Sequence, residues 1–560
     1  MSDILARGRD APGSISHAEL ETLARVERRV LWLATRIVDY ANREREKQDG
    51  LKVGGHQASS ASVVSLMTAL YFRELRADDF VSVKPHASPV LHAVEYLLGR
   101  LERRYLTQLR AFGGLQSYPS RTKDPFPVDY STGSVGIGSA APLFGALADR
   151  YVEQHFGRGR RGLFVSLLGD AELDEGNLWE AVLEPQTKGL GNVLWIVDLN
   201  RQSLDRVVPI IKAHELESQF EAAGWRVVEL KYGRRLREAY ARDGGELLRR
   251  RIDEMPNQHY QSLFGASEEV VVDALLRDLP GADRVRLEGL LAGYRGGVGS
   301  LIQDLGGHDL GDIVDALVRA RAATDRPTIV FAYTIKGFGL PIAGRPLNHS
   351  ALLNGEQIDA LRDEAGLTLE TEWDRFESES PEGRLCLAAL DRLEREPRSR
   401  PAAVPVPASV STRDPAMVST QEMVGRILLD LSRVQGVAER IVTVSPDVSV
   451  STNLGGWINK VGVYGVAEPE YEEPEPSPLA WRVAPTGRHI ELGISEMNLF
   501  LALGELGKTR DYQGEQLFPI GTVYDPFVCR GLDALVYGLY SGSRFVVLGT
   551  PSGISLSREG

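Results

Sequence analysis

The chain has 560 residues, 43% of them hydrophobic, and 57 glycines, a composition that fits a large globular α/β protein of about three or four domain-sized units. Its net charge of −13 argues against nucleic acid or an anionic membrane surface as a partner. Cys386 and Cys529 are its only cysteines, which excludes a disulfide framework and points to a reducing cytoplasm; MSDILARGRDAPG has no apolar signal core, and no run of about eighteen apolar residues follows.

Residues 17–48 predict a helix, with Leu20, Leu23, Val26, Val30, Leu33, Ile37 and Val38 on one face. GGHQASSAS at 54–62 is a glycine turn feeding a buried helix, in which His56 either caps that helix or faces a ligand. KPHASPVLHAVEYLLGRL at 84–101 repeats the pattern, with His86 on the loop and His92 inside the helix as a structural residue. STGSVGIGSAAP at 131–142 is a glycine-rich turn, whose Gly133, Gly136 and Gly138 allow close backbone approach, followed by a small-residue helix over 140–151.

The stretch 162–205 carries the most chemistry. Leu163 to Leu168 is an apolar run without alternation, as in a parallel strand covered on both faces, and it stops at Gly169-Asp170. A helix is expected over 177–188 and a second strand over 193–197, ending in Asp198-Leu199-Asn200. In a right-handed strand–helix–strand unit the two strands are parallel and their carboxyl ends share one edge. As direct neighbours about 4.8 Å apart, they would set Asp170 and Asn200 side by side. Such residues either cap a helix and a turn or, with a main-chain carbonyl, hold a hard cation such as magnesium.

Residues 207–230 predict a helix and then a strand ending at Leu230; 231–300 is charged and shows no clear elements. GGHDLGDIVDAL at 306–317 opens a helix, RPTIVFAYTIKGFGLP at 326–341 is a strand and glycine turn, and NHSALL at 348–353 is a loop. The Pro/Ala-rich stretch 396–413 reads as a linker dividing a domain over 1–395 from one over 414–560. Beyond it come a strand within 436–449, the acidic loop YEEPEPSP at 471–478, and RHIELGISEMNLFLALGELG at 488–507 as strand, turn and helix. Glu496 at that helix start compensates the helix dipole in the simplest reading.

These stretches resemble the transketolase-like thiamin-diphosphate enzymes, nearest the homodimeric first component of the pyruvate dehydrogenase complex. There GDGEMDEP and NCNLQRLD stand for GDAELDEG and DLNRQSLD here. GGHMASFQSSA, GHISPGVYARAFLEGRL, TVSMGLGP, RGGHDPKK, PTVILAKTIKGYGM, AHQVKK and GINELG follow in the same order. The resemblance implies an α/β thiamin-diphosphate-binding fold of two doubly wound, mainly parallel sheets flanked by helices. It implies thiamin diphosphate and Mg2+ as cofactors, with the metal on the side chains of Asp170 and Asn200 and the carbonyl of Gln202. Gly133, Val135, Gly169, Asp170, Ala171, Glu172 and Asn200 would line the cofactor. Tyr524 and Phe527 would pack on its pyrimidine, with Cys529 in place of a further Phe. His56, His86 and His349 would face cofactor or substrate. Glu496 would share its proton with the pyrimidine ring nitrogen, a role suited to a carboxyl in an apolar pocket.

The activity implied is cleavage of a carbon–carbon bond next to a carbonyl, with transfer of the two-carbon unit. The expected substrate is a 2-oxo acid such as pyruvate, the alternative a ketose phosphate; a catalytically silent subunit is the reading of another class. Two halves of one site on different subunits imply a homodimer. GTPSGISLSREG ends the sequence inside the second domain. A chain supplying the rest, with a further histidine and a third domain, is therefore an expected partner. An acyltransferase core is a possible one, although the first helix, starting near residue 17, leaves no counterpart of the docking extension.

Overall fold

The computed structural model describes residues 15–46, 50, 52–157, 162–203, 207–208, 213–395, 403–412, 417–466 and 479–550. Asp205, the acidic loop 471–478, residues 396–402 and 413 of the expected linker, and 551–560 lie outside the described residues. The chain forms two compact units, one of residues 1–133, 165–174 and 194–394, the other of 134–164, 175–193 and 395–560. The fold is α/β with two all-parallel sheets flanked by helices, as expected. Among the described residues no helix is long and apolar enough to cross a membrane.

The first sheet contains β1 (Phe80–Val83), β2 (Phe164–Gly169), β3 (Val193–Leu199), β4 (Arg226–Leu230) and β5 (Thr328–Tyr333), in the order β1-β2-β3-β5-β4. Every residue of β3 and β5 is buried, which explains their unbroken apolar runs. The β3–β5 register pairs Leu199 with Tyr333, so Asn200 and Thr334 leave the sheet together at its carboxyl edge. The segment 234–302, opaque in sequence, is helical in short pieces such as Arg234–Tyr240, Gly245–Glu254 and Gly281–Ala292. Pro256, Pro280 and Gly297 stand at the N-terminal caps of pieces in this stretch and divide it into short helices.

Helix α1 (His17–Arg43) buries the expected face from Leu23 onward, with Leu20 half-buried, but ends five residues before the expected 48. Its Asn42 amide donates to the Gly54 carbonyl at 2.8 Å and accepts the Gly54 N–H at 3.0 Å. That pair fixes the loop before helix α2 (Gln57–Ala61). Helix α3 (Val64–Ala69) follows, then α4 (Ser88–Leu97), in which His92 is fully buried.

A buried polar chain holds the segment after β5. The Ile335 N–H donates to His308 Nε2 at 2.9 Å, leaving the proton on Nδ1, which lies 3.2 Å from Ser65 Oγ. Ser65 in turn bonds the Glu27 carboxyl, whose Oε1 is buried without a hydrogen-bond partner. Burial pushes Glu27 up to about 7. The folded state therefore holds this proton more tightly than the unfolded chain, and stability falls as pH rises from 4.5 towards 7. Glu27→Gln is expected to match the parent near pH 5 and to be more stable, by on the order of 1–3 kcal/mol, near pH 8. Thermal unfolding at both pH values checks this; parallel profiles for the two proteins would refute it.

The second unit carries β6 (Ile441–Pro446), β7 (Val463–Tyr464), β8 (Val483–Ala484), β9 (His489–Leu492), β10 (Phe518–Tyr524) and β11 (Val546–Thr550), ordered β11-β10-β6-β9-β7-β8. With it go helices α5 (Ile137–Phe156) and α6 (Gly176–Leu183). The α6 helix stops five residues short of the expected 188, because Pro185 disfavours helical backbone at Glu184, whose ψ is 120°. Helix α7 (Glu496–Leu506) is buried along nearly its whole length and packs on α5, α6, β10 and helix α8 (Leu532–Tyr540).

Candidate functional site

Asp170 follows the end of β2 and Asn200 the end of β3, and these strands are direct neighbours. Asp170 Oδ2 accepts the N–H of Arg201 at 2.6 Å, and Oδ1 accepts that of Ala171 at 2.9 Å. Asn200 Oδ1 accepts the next N–H, from Gln202, at 3.0 Å. Both side chains are thus tied to one turn, which Arg201 makes with φ of 62°. Glu172 is buried and its Oε2 accepts the Gly169 N–H at 3.2 Å.

Asp198, read in sequence only as part of the end of the second strand, organises this edge. It is fully buried and ion-paired with Lys84. It accepts from Ser62 Oγ at 2.7 Å, from Asn200 Nδ2 at 3.0 Å and from the Thr334 hydroxyl. Because Asn200 Nδ2 is spent on Asp198, its amide orientation is fixed with Oδ1 on the other side. Burial raises the Asp198 carboxyl, but Lys84 and the hydroxyls more than offset it and leave it lower than usual. For Asp170 the Lys84 charge is a weaker influence. Burial, then the Asp198 charge, push it up to about 7. A buried carboxyl beside a second carboxylate, with an amide oxygen on the same turn, fits a hard divalent cation.

Three loops bring His56, His86 and His349 together, with ring centroids 4.2, 4.5 and 4.9 Å apart. Gly55, with φ of 118°, turns the chain where a Cβ would meet Val38 Cγ1 at 2.7 Å. Gln57 ties this loop to the third, donating to the Thr35 carbonyl at 3.1 Å and accepting the Leu353 N–H at 2.8 Å. Ser60 Oγ donates to the His86 carbonyl at 3.1 Å. Burial lowers all three histidines, His86 to about 2 and His349 to about 3, and the lysines Lys84 and Lys336 add to the effect. All three are neutral imidazoles at physiological pH. Tyr118, 5.9 Å from His86 between ring centroids, and buried Lys336, whose Nζ donates to the Ser203 carbonyl at 3.0 Å, complete this cluster.

Lys84, Lys336 and Tyr118 were not legible as site residues. A lysine closing the apolar run Phe80-Val-Ser-Val is the one signal available, since a buried ammonium demands a counter-ion.

In the second unit Glu496 is the first residue of α7, 6% exposed, with Arg530 Nη1 at 3.5 Å from its Oε1. The Arg530 guanidinium lies over the Phe527 ring at 4.0 Å, and the Tyr524 and Phe527 centroids are 6.3 Å apart. Tyr524 Oη donates to Ser451 Oγ at 2.7 Å. In the glycine loop, Gly136 is the residue that must be glycine. Its φ is 85° and a Cβ there would meet Asn177 Oδ1 at 2.6 Å. Gly133 and Gly169 have open space at that position, and Val135 is exposed. Ala171 is half-buried beside Asp170, its N–H already engaged.

The sequence profile described as transketolase, thiamine diphosphate binding domain, matches residues 55–241 and 286–376. The pyruvate dehydrogenase E1 component of Cupriavidus necator is 26% identical over 577 residues, covering 94% of this chain and 62% of that protein. That of Corynebacterium glutamicum is 26% identical over 96% of this chain and 61% of its own length. That of Escherichia coli K12 is 24% identical over 97% and 64%. The chain thus spans less than two thirds of the length of these relatives. Among solved structures, transketolase from Leishmania mexicana matches with a TM-score of 0.62 at 16% identity over 94% of this chain and 68% of that one. Transketolase from Campylobacter jejuni gives 0.62 at 17% identity, over 94% and 69%. With its parallel sheets and the Asp170–Asn200 edge, the chain belongs to the thiamine-diphosphate-dependent transketolase-like superfamily, close to the pyruvate dehydrogenase E1 components.

Proposed function

We propose that the chain binds thiamine diphosphate through Mg2+ and acts on a 2-oxo acid, cleaving the bond next to its carbonyl and passing on a two-carbon unit. The observation that supports this most is the shared turn, where consecutive N–H groups of Arg201 and Gln202 hold Asp170 and Asn200. Asp170 and Asn200 would hold the metal by oxygen, with the Gln202 carbonyl as a third ligand. Asp198 keeps Asn200 in the orientation that offers Oδ1. When bound, the cofactor supplies the electron sink for cleavage beside a carbonyl.

The chain's own groups supply the rest. His56, His86 and His349, kept neutral, donate and accept hydrogen bonds at the substrate carbonyl and move protons without carrying charge. Buried Lys336 offers a cation to the substrate carboxylate. Glu496, 6% exposed at the start of α7, would share a proton with the pyrimidine ring. The similarity to pyruvate dehydrogenase E1 components supports a 2-oxo acid; xylulose 5-phosphate, found in complex with a transketolase from Pichia stipitis, is the comparison substrate.

The test is calorimetric titration of thiamine diphosphate with and without Mg2+, followed by a turnover screen of pyruvate against xylulose 5-phosphate. Mg2+-dependent binding is expected, weakened at least about 100-fold in Asp170→Asn, since one coordinating carboxylate is lost. Equal binding by parent and variant would overturn the metal assignment.

A further inference from the structure

We propose that His56, His86 and His349 form a second metal site, selective for a borderline transition ion such as Zn2+ and distinct from the Asp170–Asn200 edge. Their ligating nitrogens all lie within 4.8 Å of one another. A tetrahedral zinc with Zn–N bonds of 2.0–2.1 Å holds its nitrogens about 3.4 Å apart. Ring rotations of about 1 Å therefore close the cluster on an ion, leaving a fourth position open.

The surroundings prepare the rings as ligands. His56 Nδ1 faces the His349 carbonyl at 3.2 Å. A carbonyl only accepts, so Nδ1 carries the proton and Nε2 presents its lone pair. His349 Nδ1 lies 3.4 Å from Ser59 Oγ, a hydroxyl that can accept from Nδ1–H and so leave Nε2 for a ligand. This is how a metal-binding histidine is oriented by its far nitrogen. Binding need not displace protons, because burial already keeps the rings neutral. No carboxylate belongs to the cluster among the described residues, so hard Mg2+ has no oxygen donor there, while imidazole suits zinc, cobalt, nickel and copper.

The charges facing the cluster are Lys84, Lys336 and Lys52. Lys84 is neutralised by Asp198; Lys336 opposes a divalent ion and favours an anion in the fourth position. An ion held there occupies the imidazoles that the reading above assigns to the substrate. Inhibition rests on that reading; binding does not.

The experiment uses the full chain, without a polyhistidine tag or cofactor, in excess Mg2+ to fill the oxygen-donor edge. Co2+ is titrated with visible absorption as readout, then displaced by Zn2+ in calorimetry. About one tightly bound Co2+ with the intense bands of tetrahedral coordination is expected. Its affinity should fall at least tenfold in His86→Gln and in His349→Gln, and stay unchanged in Asp170→Asn. Circular dichroism confirms that each variant is folded. Binding that survives both histidine changes, or is lost in Asp170→Asn, or never appears, overturns the site. A Zn2+-binding chain without turnover on any substrate would instead remove the functional reading and leave this one standing.

Discussion

Lys84→Met is expected to lower the free energy of unfolding by about 3–5 kcal/mol. Lys84 is 6% exposed and Asp198 is fully buried, so the ammonium offsets a carboxylate that water does not reach. Methionine fills a similar volume, so the loss is one of charge rather than packing. Ser62, Thr334 and Asn200 still donate to Asp198 in the variant, but neutral donors do not replace a cation. The remedy for an uncompensated buried charge is to remove it. The double variant Lys84→Met/Asp198→Asn should regain more than half of the loss, because the amide oxygen still accepts from Ser62 and the amide NH2 donates to the Thr334 hydroxyl, which can reverse its role. Urea unfolding of the four proteins gives the coupling directly. A single variant within about 1 kcal/mol of the parent would mean that water reaches Asp198.

This pair shows where sequence reading stops. The strands were legible because β3 and β5, covered on both faces, carry unbroken apolar runs. Asp170 and Asn200 were legible because both stand at abrupt ends of such runs. Lys84 and Asp198 were not, since their meaning lies in a contact across 114 residues. Lys336 and Tyr118 were silent for the same reason, standing among ordinary glycine turns and loops. The three histidines were drawn from a resemblance in three separate motifs. Their mutual approach depends on Gln57 and Ser60, small buried links that no periodicity announces. The end of α6 was misjudged where a local competitor intervened. Pro185 denies Glu184 its helical backbone. The six helices of 234–302 were missed because they run from 5 to 12 residues and carry charged residues such as Arg249, Arg250, Arg284 and Arg286 between their few apolar positions.

Glu496→Gln is expected to cost about 10²- to 10⁴-fold in turnover while leaving the fold intact, since a positioned proton donor contributes on that scale. The substitution keeps volume and removes the carboxyl's charge and its exchangeable proton together. Glu496 sits on the first turn of α7, where Asn498 Nδ2 donates to the Glu180 carbonyl at 2.9 Å and joins α7 to α6. That joint does not involve the Glu496 carboxyl, so the helix pair should hold in the variant. The small dipole term lost with the charge is about 0.3–1 kcal/mol. Arg530, 56% exposed on its side chain, loses an ion-pair partner but keeps water and the Phe527 ring. Thermal unfolding should therefore shift by no more than about 4 °C, and Mg2+-dependent cofactor binding should persist. A variant with undiminished turnover would strip Glu496 of its proton-sharing role. A variant that unfolds would show instead that its carboxyl holds the second unit together, which the Asn498 contact argues against.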